Sequence, residues 1–525
     1  MSRIEVDYRL AGADLTEAAL LAKRIAYEQT VELPEAVVTD AFVNEYVVGR
    51  VERIERVQSG GGSVIATISY NSELANGHLL ALLNLLFGNV SMYPGVRLSA
   101  LRLPPAVLSS FAGPRFGIDG IRHLVGVYDR PLLASALKPR GLAPEALAAL
   151  AGKFALGGGD IVKDDQNLVD DFESFKQRVA LCASAVARAN DRTGRQCLYF
   201  PHVSAPVGQI ERFLDYVCAL GLHGVLMCPM VVGLETAGAL AGNYPLALMA
   251  HPALTGSYVI GAEHGIAHDV LLGTLFRLAG ADISIFPSFG GRFSFPKSAC
   301  MDIEARLGEP LGTLAPAWAC PAGGMQFDDM PALARTYGRD SVFLIGGALY
   351  AHGEQLDEST RAFRTQIESV HIGQQVTPGE QWPCTSDAPW TTGSSVLAFE
   401  NEFQWSERES SLYKSRTDPL SGGSFEGVRR VELIGKFGER TGSDLRYFEV
   451  APGGFSSHEK HVHSHIVIGA RGHGTLLLGN RQEVLQVNDV AYIAPLQEHQ
   501  FRNDGPEPFG FFCIVDHDRD RPMSV

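Results

Sequence analysis

The stretch GGGDIVKDDQNL, residues 157–168, places Lys163 between a short apolar run and two aspartates, with Gln166 directly after them. The two acids offer a buried cation a partner, which is the purely structural interpretation. A lysine that ends a strand beside acids is more typical of a functional group, because burial and neighbouring charges readily shift its pKa. Lys163 is therefore the first candidate for chemistry.

Further polar or glycine positions follow other apolar runs. Lys138 ends one run and His251 ends another, while Gly323-Gly324 and Gly346-Gly347 follow the last two. Paired glycines expose backbone N–H groups to an anion, which favours a phosphate site over two simple tight turns.

The elements that must position these residues are eight short apolar runs alternating with amphipathic segments. This alternation predicts a (β/α)₈ barrel, in which functional residues gather where the strands end. The runs lie at 132–138, 160–165, 197–203, 224–230, 246–252, 281–287, 315–324 and 342–347.

The remaining chain predicts three further regions, since 525 residues exceed one ordinary core. Residues 1–112 mix strand and helix patterns and predict an α+β (ferredoxin-like) domain with one antiparallel sheet, ahead of the barrel at 113–374. Residues 375–425, rich in Pro, Ser, Thr and Gly, predict a linker. Residues 426–525 alternate in short runs without long helices and predict an all-β barrel.

That last region carries a second group of candidate residues. His461, His463 and His465 are two apart, so a strand places them on one face together with Glu459, and His499 follows later. Several nitrogen and oxygen ligands converging in a small β-barrel suit Mn, Fe, Ni or Zn.

Composition limits the partners of the protein. The net charge of −15 argues against a general binder of nucleic acid or anionic membranes. The N-terminus lacks the layout of a secretory signal, and the eight cysteines are scattered without a C-x-x-C pair. We therefore expect a cytoplasmic protein that contacts neither membrane nor nucleic acid, with reduced thiols.

Residues 1–370 resemble the large subunit of RuBisCO, and more closely the RuBisCO-like proteins that do not fix carbon dioxide. GGGDIVKDDQ is similar to the specific family signature G-G-x-D-x-x-K-D-D-E. ALKPRGL at 136–142, FGNV at 87–90 and the MPAL and DSVFLIGGALYAHG segments are similar to further family motifs.

The resemblance implies a role for individual residues. Lys163 would become a carbamate that binds Mg²⁺ with Asp165 and Gln166, and Lys138 would be an acid–base group. The other implied roles are a substrate-facing His251, a phosphate held by Gly323, Gly324, Gly346 and Gly347, and Glu28 and Asn89 offered to a partner subunit's barrel in a homodimer.

Departures from the family pattern decide which reaction is expected. Gln166 stands where a carboxylase has glutamate, and Arg292 replaces a loop lysine. Near His251 a carboxylase has a second histidine and an arginine, whereas here Pro252 directly follows the histidine. The combination resembles the class that keeps enolisation and has lost carbon dioxide capture. Because Gln166 lacks the negative charge of a glutamate, we expect either weak Mg²⁺ binding or an uncarbamylated Lys163 that acts as an amine base.

The C-terminal region resembles a cupin domain, with a second motif that ends at Asn503. The resemblance implies ligands from Glu459, His461, His465 and His499, with His463 open because the motif can be set in two registers. We expect an isomerase, enolase or decarboxylase acting on a phosphorylated ketose or 3-oxo sugar acid, with the cupin acting on a related intermediate. The alternatives are a sugar-phosphate-binding barrel with a sensing or separately active cupin, or a true carboxylase.

Overall fold

A computed structural model describes most of the chain. The residues described are 2–57, 63–291, 293, 295–351, 355–369, 397–406, 408, 410–413, 424–435, 437, 441, 443–461, 463–516 and 523–524. The chain divides into two compact units, residues 1–374 and 375–525. The boundaries at 112/113 and 425/426 remain predictions.

The first part of the chain forms a mostly antiparallel sheet covered by helices. Strict alternation in RIEVDYRL buries Ile4, Val6, Tyr8 and Leu10 on one face of the first strand, as the period of a half-buried strand requires. The strands are β1 (Arg3–Leu10), β2 (Arg50–Arg56), β3 (Val64–Asn71) and β4 (Val96–Arg102), in the order β4-β1-β3-β2, all antiparallel neighbours.

Eight parallel strands form the barrel, which confirms the predicted fold class. An isolated parallel bridge between His202 and Leu226 joins the two end strands and closes the cylinder. The strands are β5 (Leu132–Leu137), β6 (Ile161–Asp164), β7 (Leu198–Phe200), β8 (Gly224–Met227), β9 (Ala247–Ala250), β11 (Ala281–Pro287), β12 (Trp318–Ala322) and β13 (Val342–Ile345); the short β10 (Gly265–Ile266) instead extends the first sheet beside β4.

Amphipathic helices surround both sheets. The longest begins after Asp171, whose side chain accepts the backbone N–H groups of Glu173 and Ser174 and so caps the first turn. The helices are α1 (Leu15–Glu28), α2 (Leu79–Phe87), α3 (Pro105–Leu108), α4 (Gly117–Val125), α5 (Pro144–Leu156), α6 (Phe172–Thr193), α7 (Val207–Ala219), α8 (Pro229–Val232), α9 (Leu234–Asn243), α10 (Gly256–Val259), α11 (Phe276–Leu278), α12 (Lys297–Gly308), α13 (Met330–Tyr337), α14 (Gly347–Ala351) and α15 (Leu356–Glu368). Among the helices that the structure describes, none is both long enough and apolar enough to span a membrane.

The second unit is all-β among its described residues and forms one antiparallel sheet of eleven strands, as predicted for this region. Its central path runs β20-β19-β22-β16-β23-β18-β21. The strands are β14 (Ser410–Leu412), β15 (Glu426–Ile434), β16 (Ser443–Phe455), β17 (Glu459–Lys460), β18 (His465–Arg471), β19 (His473–Leu478), β20 (Arg481–Gln486), β21 (Val490–Ile493), β22 (His499–Arg502), β23 (Phe509–Asp516) and β24 (Met523–Ser524).

Two details of this unit differ from the sequence-based expectation. Within the range predicted as a linker, β14 pairs with β15 and so belongs to the sheet. The prediction that His461, His463 and His465 share one strand was wrong, because β17 ends at Lys460 and β18 begins at His465. β17 pairs with β22 and β24, whereas β18 pairs with β21 and β23. His461 and His463 therefore lie in the connection between β17 and β18.

Candidate functional sites in the barrel and the β-domain

A cavity of about 1270 Å³ lies at the carboxyl ends of the barrel strands. It brings together residues from six of the strand ends, as expected when parallel strands end at the same rim. The residues singled out from the sequence that line it are Lys138, Lys163, Gln166, His251, Gly323, Gly324, Gly346 and Gly347.

Lys163 is the most buried cation of this cavity. Only 1% of it is exposed, and its Nζ donates a 3.1 Å hydrogen bond to the backbone oxygen of Asp164. Burial lowers the pKa of Lys163 to about 8, opposed by the nearby Asp165 carboxylate and assisted by the Lys138 charge. A large share of the amine is therefore neutral near pH 7.5 and able to accept a proton.

The two aspartates after Lys163 have different roles because successive side chains of a strand point to opposite faces. Asp164 is wholly buried and structural. It pairs with Arg178, accepts the Tyr199 hydroxyl at 2.8 Å and accepts the backbone N–H of His202 at 2.9 Å. This network anchors the strand that carries Lys163.

Asp165 instead faces Lys138, with which it forms an ion pair. Its other oxygen accepts the backbone and side-chain N–H groups of Asn167 at 3.0 and 2.9 Å. Burial acts to raise the pKa of Asp165, but the hydrogen bonds from Lys138 and Asn167 hold it below the usual range. Asp165 is therefore an anion that holds Lys138 toward the cavity.

His251 contributes a neutral imidazole to the same cavity. The backbone N–H of Ala253 donates to its Nδ1 at 3.1 Å, so the ring proton resides on Nε2. Burial, together with the positive charge of the nearby Lys163, lowers the pKa of His251 to about 3. It is thus a hydrogen-bond donor across the physiological pH range.

The glycine pairs at the ends of β12 and β13 keep the opposite side of the cavity open. Gly323 and Gly324 have φ of +83° and +93°, a conformation that L side chains rarely adopt. A Cβ added at Gly346 or Gly347 meets nothing within 4 Å, so the space beside their backbone is available to a ligand. This arrangement is chemically suited to an oxyanion.

The fit of a divalent cation depends on the state of Lys163. Asp165 and Gln166 supply a carboxylate and an amide oxygen, which Mg²⁺ accepts as ligands. The two lysine amines beside them oppose a cation while they are protonated. These residues therefore fit Mg²⁺ when Lys163 carries a carboxyl group, and fit it poorly as the free amine.

Two of the residues singled out from the sequence lie elsewhere, and a third, Arg292, falls outside the described residues. Asn89 donates to Glu28 at 3.0 Å in the N-terminal part of the chain, and neither residue lines the cavity of its own barrel.

Sequence reasoning missed several residues that line the cavity. Arg97 comes from β4 of the first sheet and donates to the backbone oxygens of Gly261 and His264. Phe293 and Phe295 form part of an apolar wall. No local pattern marks Arg97, because its strand lies in a different sheet from the barrel.

In the second unit, four histidines and a glutamate converge on a cavity of about 180 Å³. One ligand atom of each of His461, His463 and His465 lies within 4.8 Å of the others, and so does one of each of Glu459, His461 and His499. The rings of His461 and His465 are 4.3 Å apart, and those of His461 and His499 are 4.8 Å apart.

The histidine rings are oriented as metal ligands require. The Nδ1 of His461 lies 2.8 Å from the backbone oxygen of His463, and that of His499 lies 2.9 Å from the oxygen of Gln497. Protons on these Nδ1 atoms leave the Nε2 lone pairs for a metal, as outer hydrogen bonds do in metal sites. The Nε2 atoms of His461 and His465 are buried without a hydrogen-bond partner among the described residues. The chemistry of this set fits a transition-metal ion.

Comparison with known proteins matches one family to part of the first unit and another to part of the second. Residues 117–288 match the ribulose bisphosphate carboxylase large chain, catalytic domain, and residues 446–515 match the cupin domain. A ribulose bisphosphate carboxylase-like protein of Rhodopseudomonas palustris is 42% identical over 70% of this chain and 98% of its own length. The 5-methylthioribulose-1-phosphate isomerase of Rhodospirillum rubrum is 39% identical over 70% of this chain and 96% of its own.

Solved structures show the same relationship. The crystal structure of a Rubisco-like protein from Rhodopseudomonas palustris superposes with a TM-score of 0.64 at 35% identity, covering 72% of this chain and all of that one. Both families generally bind metals, in keeping with the residues gathered at the two sites. The chain belongs to the RuBisCO-like protein family and carries a cupin domain after its barrel.

Proposed function

We propose that the barrel isomerises a phosphorylated ketose by moving a proton next to its carbonyl group, and does not fix carbon dioxide. The observation that carries this proposal is Lys163, a buried lysine of lowered pKa at the barrel rim beside an acid–lysine pair. The name of the Rhodospirillum rubrum relative supports 5-methylthioribulose 1-phosphate as the first substrate to test.

Three residues of the cavity, Lys163, Lys138 and His251, take part in the proton transfer. Lys163, as the free amine or as its carbamate, removes the proton from the carbon beside the carbonyl. Lys138, held by its ion pair with Asp165, donates a proton to the developing enolate oxygen or to a neighbouring carbon. His251 donates its Nε2 proton to a substrate oxygen.

Asp165, Gln166 and a carboxylated Lys163 would hold Mg²⁺, which would supply Lewis-acid stabilisation of negative charge on the substrate oxygen. The amine and the carbamate forms differ by one carbon dioxide. Intact mass and activity at controlled carbon dioxide concentrations distinguish them.

A single phosphate suits this cavity. The glycine pairs at β12 and β13 offer backbone N–H groups on one side. Around His251 the wall carries Pro252 and Ala253, which present no cationic side chain, and the guanidinium of Arg97 donates to backbone oxygens of the protein. We therefore assign a ketose monophosphate and reject a bisphosphate as the preferred substrate.

The active unit is a homodimer in this proposal. Glu28 and Asn89 are joined to each other but do not reach the cavity of their own barrel. In a two-fold dimer they are available to the barrel of the other subunit, which makes each site a shared one.

The cupin domain binds a divalent transition metal, Mn, Fe, Ni or Zn, through Glu459, His461, His465 and His499, with His463 beside them. It converts a related intermediate, in this proposal the product of the barrel. His461→Ala then leaves the first isomerisation intact while its product accumulates. Loss of the first isomerisation in this variant contradicts the assignment of the two reactions to separate domains.

The test of the barrel reaction uses NMR of 5-methylthioribulose 1-phosphate incubated with the full chain. We expect the ketose signals to be replaced by those of an isomer with the same mass and an intact phosphate. Ribulose 1,5-bisphosphate with labelled carbon dioxide serves as the control and yields no labelled acid. An unchanged ketose spectrum at high enzyme concentration contradicts the proposal.

A further inference from the structure

Arg446 is a buried cation in the wall of the cupin cavity. It lies on β16, only 8% exposed, directly across the sheet from Glu432 on β15 and Cys513 on β23. The cavity that it lines also contains the histidine and glutamate ligands described above.

No carboxylate pairs with Arg446 among the described residues. Its Nη2 lies 3.5 Å from the sulfur of Cys513, its guanidinium lies 5.1 Å from the ring centre of Phe448, and its buried Nε has no hydrogen-bond partner among them. Glu432 forms its ion pair with Arg430 at 3.0 Å instead.

Arg429 provides a contrast on the neighbouring strand. Its Nε lies 2.9 Å from a carboxylate oxygen of Glu449, so its charge is balanced within the protein. A guanidinium is always charged, and placing one in the interior without a counter-charge is costly. The charge of Arg446 therefore points to an anion supplied by a ligand.

The position of Arg446 relative to the metal ligands narrows the class of ligand. Cys513 contacts both Arg446 Nη2 and, at 3.6 Å, the Nδ1 of His465, so the guanidinium is joined to the histidine cluster through one sulfur. An anionic group at Arg446 is consequently part of a molecule that also reaches the metal. The volume of about 180 Å³ restricts that molecule to a small metabolite.

We propose that the cupin cavity binds a small anionic ligand whose phosphate or carboxylate group pairs with Arg446 while another part of it approaches the metal. The walls formed by Phe448, Phe501 and Phe511 accommodate its apolar portion. This anion site rests on the proposed metal-binding role of the cupin domain, and only one of the two measurements below requires bound metal.

The first readout is the visible spectrum of the full chain loaded with Co²⁺, titrated with inorganic phosphate in one arm and acetate in the other. We expect the cobalt bands to shift with saturation in at least one arm, which identifies the anion class. In Arg446→Met the cobalt content and the anion-free spectrum stay unchanged, while the dissociation constant for that anion rises at least about tenfold, as for loss of a charge-assisted pair. The matched control Arg429→Met titrates like the wild type.

The second readout needs no metal and separates failure of the metal site from failure of this proposal. Equilibrium dialysis against labelled phosphate and labelled acetate counts bound anions per chain, and wild type should bind one more of the responding anion than Arg446→Met. Equal affinity and equal stoichiometry in wild type and Arg446→Met overturn the proposal, and so does the absence of any Arg446-dependent binding in both arms. Failure to take up cobalt, with the dialysis difference intact, contradicts the metal cluster alone.

Discussion

The lowered pKa of Lys163 predicts how the barrel reaction depends on pH. With a pKa of about 8, about a quarter of the Lys163 amine is neutral at pH 7.5, against about one part in a thousand for an ordinary lysine. The rate of proton abstraction should therefore rise with pH and level off above about pH 8. The measurement is loss of deuterium from labelled substrate, followed by NMR between pH 6 and 10 at saturating substrate.

A charge substitution tests the physical origin of that profile. The Asp165 carboxylate raises the pKa of Lys163, so Asp165→Asn should move the inflection to lower pH even where it slows the reaction. Asp119→Asn, an exposed acid in the first turn of α4, is the matched control and should leave the inflection in place. An inflection above pH 10 in the wild type, or one that Asp165→Asn moves upward, refutes the reasoning.

Carbon dioxide separates the two forms of Lys163 within the same assay. A free amine base gives a profile that is independent of added carbon dioxide. A carbamate gives a rate that increases with carbon dioxide at fixed pH, because only the neutral amine reacts with it. The mass of the protein under the two conditions differs by one carboxyl group in the second case.

Three further predictions concern stability, metal and assembly. Arg178→Met leaves the wholly buried Asp164 without its ion-pair partner, so the free energy of urea unfolding should fall by about 3–5 kcal/mol. A loss below about 1 kcal/mol contradicts the anchoring role of this pair. His499→Ala should lose most of the metal that mass spectrometry finds in the cupin domain, and metal content equal to the wild type removes His499 from the ligand set. Inactive Glu28→Ala and Lys163→Met chains that are refolded together should recover about a quarter of the wild-type activity. Half of the randomly formed dimers contain one chain of each kind, and one of the two active sites in such a dimer is intact. The absence of any recovery excludes shared sites.

The residues at the carboxyl ends of the barrel strands could be predicted from the sequence, because several of these strands are short apolar runs that end in a polar residue. Lys163 and His251 were identified in this way, and both line the cavity. The sequence does not show which of the neighbouring aspartates faces the cavity. That choice depends on the pairing of Asp164 with Arg178, which lies about two helical turns into α6.

Residues brought together by the packing of separate elements could not be predicted in the same way. Arg97 reaches the barrel cavity from another sheet, and Arg446 reaches the histidine cluster only through the pairing of β16 with β23. The histidines around His463 were assigned to one strand because their spacing matches a strand period. Spacing alone does not show where a chain crosses from one pair of strands to another.

The most direct test of the central claim is deuterium incorporation into 5-methylthioribulose 1-phosphate in heavy water. We expect wild type and Lys153→Met, which alters an exposed lysine of α5, to introduce deuterium beside the carbonyl at equal rates. Lys163→Met should introduce none above the uncatalysed background while binding the ketose phosphate normally. Exchange by Lys163→Met at the wild-type rate contradicts the account of the barrel as a Lys163-dependent enolising enzyme.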